Sequence, residues 1–422
     1  MNKYKITRLS NKIPLIVVPI KGAQTITALV VVKTGSKYED RKNNGISHFL
    51  EHMFFKGTKK RPNTLALSSE LDSLGGEYNA FTGKEFTGYW VKVASAKIKY
   101  ALDIVSDMLL NSQFSEEEIE RERGVIIEEL NMYEDNPLMH IEDVFESGLY
   151  GDTPAGWETI GTKENIQNLK RKDFISYLNS QYGSSNTFII LAGGVKENDK
   201  KMAMKMFSDF RKNIVKEKLP VKENQKKPEI KIAYKKNDQL NLSLGVRAYP
   251  TDHADEFKVK LLSIILGGSM SSRLFISLRE RNGLAYYVRT MAETYSDSGY
   301  LTTQAGVPAD KVKAAIKIIL NEYKKISEEA VSAKELERAK DLIQGKMLLQ
   351  MESSDNLANW YARQVILRRK ILTPGELIKE IKKITAADLQ KTAKRIFINS
   401  QLNLAIIGPV KSGDELKKIL KF

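Results

Sequence analysis

Residues 43–58 read NNGISHFLEHMFFKGT, and the five residues His48-Phe49-Leu50-Glu51-His52 at their centre organise the reading of everything around them. The stretch reads as a short helix ending near Gly57. His48 and His52 are four residues apart, so both imidazoles project from one face and can share a cation. Glu51 follows His48 by three, close enough to hold a water beside that cation and take its proton. Phe49, Met53 and Phe54 fall on the other face, for packing. The competing reading is a pair of imidazoles that simply fill a core. With four histidines in 422 residues, such a motif arises by chance in only roughly a few per thousand sequences of this make-up.

A catalytic zinc site of this kind takes three protein ligands and keeps one position open. The chain has no cysteine, which excludes disulfides and thiolate ligands and leaves imidazole and carboxylate. The other histidines, His140 and His253, stand outside any motif, so the third ligand is expected to be an acid. Ser115 followed by Glu118 forms a capping box that opens a helix running to about Asp135. On that helix Glu122, Ile126, Glu129 and Tyr133 form one stripe, with Val125 beside it, and the stripe is the face expected to be buried. A buried carboxylate is costly without a partner, and a divalent cation is a good one. Glu122 and Glu129 are both candidates on this reasoning, whereas Glu128 is rotated toward solvent. Ordinary helix salt bridges are the alternative explanation of the same residues.

Away from the motif, the chain reads as two similar halves. In the first, TITALVVVKTG (25–35) is a strand run and GGEYNAFTGKEFTGYWVKVA (75–94) is two strands around a turn. Ile98, Ala101, Leu102, Val105, Met108 and Leu109 then recur at helical spacing. In the second half, Gly299-Tyr300 repeats Gly88-Tyr89. SAKELERAKDLIQGKML (332–348) lies over SEEEIERERGVIIEEL (115–130), placing Ala339 on Glu122 and Lys346 on Glu129. This pattern predicts an internal duplication in which one half carries the acidic and imidazole groups. Strands and helices in blocks predict an α+β fold of two structurally similar domains, each a mainly antiparallel sheet packed with helices. Between them, residues 211–238 hold ten Lys/Arg, four Asp/Glu and two prolines, the composition of a solvated connection. The expected division is 1–212 for the zinc-binding domain, 213–238 for a basic linker and 239–422 for a homologous domain that lacks the metal site.

The net charge of +15 raises the possibility of nucleic-acid binding, but much of the excess sits in that linker. The rest is scattered among acids without an aromatic-interleaved basic stripe, so no nucleic-acid partner is expected. No run approaches the ~18 apolar residues of a membrane span. The start, MNKYKITRLSNKIP, alternates charge and apolarity as a first strand does and lacks a secretory core. A cytoplasmic protein is therefore expected.

HFLEHMFFKGT, with ERGVIIEE (122–129) some distance on, resembles the pitrilysin–insulysin family of inverted zinc metallopeptidases. The likeness is to its short members, the mitochondrial processing peptidase and bacterial relatives, and it covers nearly the whole chain. The resemblance implies one zinc per chain held by His48, His52 and Glu129, with Glu51 as general base and Glu122 as a carboxylate behind the ligands. GGEYNAFTG (75–83) is similar to the family's substrate-pairing edge strand, which assigns Asn79, Ala80 and Phe81 to backbone contacts with an extended peptide. FISLRERNGLAY (275–286) is similar to its distal substrate-binding element, which assigns Arg279 to a substrate carbonyl and Tyr286 to the developing oxyanion. GDTPAGWETIGT (151–162) departs from a family segment with His-Pro-Leu-Gly, carrying Thr153 and Ala155 instead. The resemblance further implies a clam-like pair of halves closing on an unstructured peptide, and a homodimer. A non-catalytic peptide-binding or scaffolding subunit is the alternative; such relatives lose a histidine or the base, and here all four positions are filled.

Overall fold

A computed structural model describes residues 3–213 and 215–422. They form two compact units interleaved along the chain. Met1–Leu130, Glu158–Leu219 and Met347–Pro374 belong to the first, and Asn131–Trp157, Pro220–Lys346 and Gly375–Phe422 to the second.

The sheet of the first unit contains β1 (Lys5–Arg8), β2 (Pro14–Pro19), β3 (Thr25–Val32), β4 (Glu77–Thr82), β5 (Thr87–Ala94) and β6 (Thr187–Gly193), in the order β1-β2-β6-β3-β5-β4. Only β2 and β6 run parallel; every other neighbour is antiparallel. The TITALVVV run becomes β3, buried at every residue after Thr25 because both faces of the sheet are covered. On one face Ile16, Val18, Leu29, Val31, Ile190 and Ala192 pack under Leu357, Ala358, Tyr361 and Ala362 of the helix Ser354–Leu367. Four helices follow β3 and β5 in sequence: α1 (Ile46–Met53), α2 (Thr64–Ser73), α3 (Ile98–Asn111) and α4 (Glu116–Asp135). The helical spacing read from 98 to 109 is α3, which lays buried Ala101, Leu102, Val105 and Met108 toward β3 and β5. Each such side chain, fully buried, contributes roughly 1.5–3 kcal/mol when it is the size of Val, Leu or Met. Ser115 caps α4 as its spacing predicts, accepting from the Glu118 N–H at 3.3 Å.

The second unit begins its own sheet-and-helix layer with α5 (Pro137–Tyr150). Its strands are β7 (Glu229–Tyr234), β8 (Gln239–Ala248), β9 (Tyr287–Thr294), β10 (Gly299–Pro308) and β11 (Leu402–Gly408), in the order β7-β11-β8-β10-β9. Here too a single pair, β7 with β11, is parallel. Apart from β1, the two orders are the same, as an internal duplication requires. Gly88 lies in β5 and Gly299 opens β10, and the helix Ala333–Gln350 stands in the chain where α4 stands in the first half. Ile141, Val144, Phe145 and Leu149 of α5 pack with Tyr300, Ala405 and Ile407 of the sheet. Glu146 on that helix is buried and accepts hydrogen bonds from Tyr300 (3.1 Å) and Tyr295.

Two expectations about organisation need correction. The units do not divide at the basic segment, because α5 is assigned to the second unit and Ser354–Leu367 to the first. Their apolar stripes decide this: each helix buries itself on the sheet that offers a matching apolar face. The stretch 213–238 is also not wholly linker. Its alternating EIKIAY forms β7, paired with β11 from Asn403↔Glu229 to Gly408↔Tyr234, a period-two signal masked by the surrounding lysines. Among the described residues, no helix is long and apolar enough to cross a membrane.

Candidate metal centre

Helix α1 is short and fixed at both ends. Gly45 caps its start with φ +100°, and a Cβ there would lie 2.6 Å from the Ile160 carbonyl oxygen, so both conformation and space demand glycine. Gly57 ends the following turn with φ +134° and a similar clash, 2.6 Å from the Pro62 carbonyl oxygen. The buried carboxylate of Glu39 sits at the N-terminus, accepting from the backbone N–H groups of Gly45 and Ser47 (both 2.8 Å) and from Asn44 Nδ2 (2.9 Å). These are donors that a helix start leaves without partners. Burial raises the Glu39 pKa, opposed by those hydrogen bonds.

Beyond the C-terminus, buried Arg61 holds the turn. It reaches Glu70 through two nitrogens (2.6 and 2.7 Å), and Asp103 and Asp107 at 2.8 Å each. Thr58 adds a 2.5 Å bond to Asp107. The underside of α1 is aromatic packing: Phe49 against Phe174, and Phe54 against Tyr89, Phe114 and Tyr182, with ring centroids 4.8–5.5 Å apart.

This mounting presents His48 and His52 toward α4. His48 Nε2 lies 3.7 Å from Glu129 Oε1, and His52 Nε2 lies 3.5 Å from Glu129 Oε2. One ligand atom from each of the three residues falls within 4.8 Å of the others. Ligands about 2.0–2.1 Å from a tetrahedral zinc are separated by roughly 3.3 Å, so the spacing and the donor types both suit that ion.

Glu122 and Glu129, which helix periodicity left as equal candidates, are placed differently. Glu122 has both oxygens engaged, Oε1 with His52 Nδ1 at 2.8 Å and Oε2 with Lys56 Nζ at 2.5 Å. That bond fixes the His52 ring and leaves its Nε2 facing Glu129, the usual arrangement behind a metal-binding imidazole. Glu128 is exposed, as its rotation predicts.

The electrostatics follow from burial and neighbours. Burial first, then the His52 charge, depresses the His48 pKa to about 3, so this ring is neutral and its lone pair is available. Its Nδ1 is buried without a hydrogen-bond partner among the described residues. Burial works against charging His52, but Glu122, Glu129 and Glu51 outweigh it and raise its pKa. Burial would raise Glu122, yet the hydrogen bonds from His52 and Lys56 prevail and hold it below the usual carboxylate range. Glu129 is pushed up by burial and by Glu122, with His52 opposing. Glu51 is raised by burial, with Thr82 and His52 opposing and Glu129 adding to the rise. The Thr82 hydroxyl donates to Glu51 Oε2 at 2.5 Å.

Asn79, Ala80 and Phe81 lie on β4, the edge of the first sheet and adjacent to α1. Among the described residues no strand pairs with its outer side. Asn79 is exposed, and its Oδ1 accepts from the Ala80 N–H at 2.8 Å. Phe81 turns its ring across Gly88 and against Phe86, 5.8 Å between centroids. Arg279 and Tyr286 belong to the second unit. There Arg279 Nη1 donates to the Tyr286 carbonyl (2.9 Å) and its guanidinium lies over Phe275, while the Tyr286 side chain is 76% exposed.

Sequence reasoning missed Glu39, Lys56, Arg61 and Thr82. None has a spacing rule linking it to the motif; a lysine four residues after the motif's second histidine is the nearest to a readable signal.

A family model described as "Insulinase (Peptidase family M16)" matches residues 16–163, and one described as "Peptidase M16 inactive domain" matches residues 168–343. An uncharacterized zinc protease of Rickettsia felis is 34% identical over 409 residues, covering 96% of this chain and 98% of that protein. The mitochondrial-processing peptidase subunit beta of Mus musculus is 29% identical over 415 residues, covering 94% and 83%. Among solved structures, a protease from Helicobacter pylori shares the fold with a TM-score of 0.91 at 24% identity, over 97% of this chain and 100% of that one.

Proposed function

Because this chain belongs to the insulinase family of peptidases, peptidase family M16, we propose that it is a zinc-dependent endopeptidase cutting unstructured peptides or presequence-like segments. Metallopeptidase function in general follows from the family and from relatives named zinc proteases. The observation that carries the finer reading is the convergence of His48, His52 and Glu129, with Glu51 on the same helix and Glu122 behind His52. In this reading the three converging residues hold one zinc. The bound ion supplies Lewis acidity and acidifies water toward neutrality. Glu51, lifted toward the working pH by burial, takes a proton from the attacking water and delivers it to the leaving amine. Neutral His48 has a lone pair for the ligand role, and the bond from His52 Nδ1 to Glu122 leaves Nε2 as the nitrogen that would give up its proton to an ion.

The open edge of β4 at Asn79, Ala80 and Phe81 receives an extended peptide by main-chain pairing, which asks little of its sequence and excludes folded proteins. The second unit's part is carried by Arg279 for a substrate carbonyl and by Tyr286 for the oxyanion. We further assign the chain to the cytoplasm, as a homodimer without nucleic-acid or membrane partners.

The test is cleavage of an unstructured peptide library with and without a chelator, read by mass spectrometry, beside Glu51→Gln. Gln keeps the shape but accepts no proton at neutral pH. Glu51→Gln is expected to keep zinc and bind peptide while losing roughly 10²–10⁴-fold in turnover. Near-normal turnover of that variant with zinc retained would defeat the mechanism. Peptide binding without cleavage by the intact protein would favour a scaffolding subunit.

A further inference from the structure

We propose that Thr82 is a positioning residue for the reaction: its hydroxyl aims the Glu51 carboxylate and ties the base to the strand on which a peptide would pair. The inference rests on the proposed role of Glu51. Glu51 has two oxygens, and Thr82 Oγ1 donates to Oε2. A hydroxyl has one proton to give, so this bond commits it to Glu51 and leaves Oε1 for the proton taken from water. A carboxylate of free rotation would divide its time between orientations. One oxygen held by a fixed donor removes that freedom before substrate arrives.

Thr82 is fixed from several directions. It is the last residue of β4, opposite Thr87 in the antiparallel register, and Thr87 Oγ1 donates to the Thr34 carbonyl at 3.0 Å. The next residue closes the turn, Gly83 N–H donating to the Phe86 carbonyl at 3.0 Å and the Gly83 carbonyl accepting from Ser36 N–H at 3.2 Å. The turn is further anchored by Glu85, whose carboxylate is buried against Lys37 Nζ at 2.9 Å. Phe81, immediately before, is wedged across Gly88. A donor mounted this rigidly sets the direction of Glu51 rather than following it. Because Asn79–Phe81 and Thr82 share one short strand, a peptide pairing with β4 loads the segment that holds the base.

The experiment uses the full chain loaded with zinc and an unstructured reporter peptide. Thr82→Val, close in shape but without the donor, is expected to lower kcat roughly ten- to a hundredfold, the scale of one hydrogen bond to a charged group. KM and zinc content should stay within about twofold of the parent. Thr82→Ser, which restores the hydroxyl, should recover most of the loss. Thr82→Ala serves if Val disturbs the strand. In a Glu51→Gln background, Thr82→Val should cost little more, since both changes act on one group.

A kcat within about twofold of the parent in both Thr82→Val and Thr82→Ala at full zinc occupancy would overturn the inference. So would an equal loss in Thr82→Ser, or multiplicative losses in the double variant. Full turnover by Glu51→Gln alone would remove the functional reading itself. The usual Glu51→Gln loss beside a normal Thr82→Val removes only this inference.

Discussion

The two units repeat one strand order and use it for opposite ends. Between β3 and β4 the first unit places α1, whose outward groups are two imidazoles and a carboxylate. Between β8 and β9 the second places the helix Glu256–Gly267, which buries Val259, Leu261, Leu262, Ile265 and Leu266. The later helix repeats the contrast: Glu122 and Glu129 on α4 fall where Ala339 is buried and Lys346 exposed on Ala333–Gln350. Partly buried carboxylates and imidazoles cost desolvation that an apolar helix avoids. The first unit accordingly surrounds its polar helix with fixed supports, Glu39 at one end, Arg61 at the other and Lys56–Glu122 behind. The comparison teaches that the scaffold alone specifies no chemistry, and that the polar groups come with a framework that holds them.

The strongest way to break that contrast is to remove a proposed ligand. His52→Ala or Glu129→Gln is expected to strip most of the one zinc per chain and drop peptide cleavage to background, by elemental analysis and turnover. Undiminished zinc in Glu129→Gln would move the third ligand to Glu122. A smaller but still large effect tests the framework. Arg61→Met leaves the buried Asp107 without its cation, and breaking a buried pair by removing one partner costs about 3–5 kcal/mol. A lower denaturation midpoint is expected, with zinc affinity reduced because the turn beyond α1 loosens; unchanged midpoint and affinity would show that α1 does not depend on this clamp. The smallest effect sharpens the comparison from the other side. Lys346→Glu places an acid where Glu129 has its counterpart, but the helix Glu256–Gly267 contains no histidine to meet it. Zinc should stay at one per chain and turnover within about twofold, and a second equivalent of bound zinc would contradict the assignment of all metal chemistry to the first unit.

The sequence by itself determined a good deal. HxxEH at 48–52, the absence of cysteine and the stripe through Glu122 and Glu129 are local or compositional facts, and helix geometry converts them directly into a face that can hold a cation. The duplication was legible because Gly88/Gly299 and Ser115/Ser332 keep their places in both halves. The tertiary structure decided the rest. Periodicity could not separate Glu122 from Glu129, since both share one helix face; only the approach of Lys56 and of His52 Nδ1 shows which carboxylate is already engaged. Glu39 meets the start of α1 from a loop just before it, Arg61 braces the turn just after it, and Thr82 reaches Glu51 from a strand end; these contacts leave the helix's own register, so there is no period to read. The assignment of α5 to one sheet and of Ser354–Leu367 to the other has the same origin: an amphipathic stripe announces that a helix will be buried, but which apolar surface receives it depends on surfaces that exist only after folding.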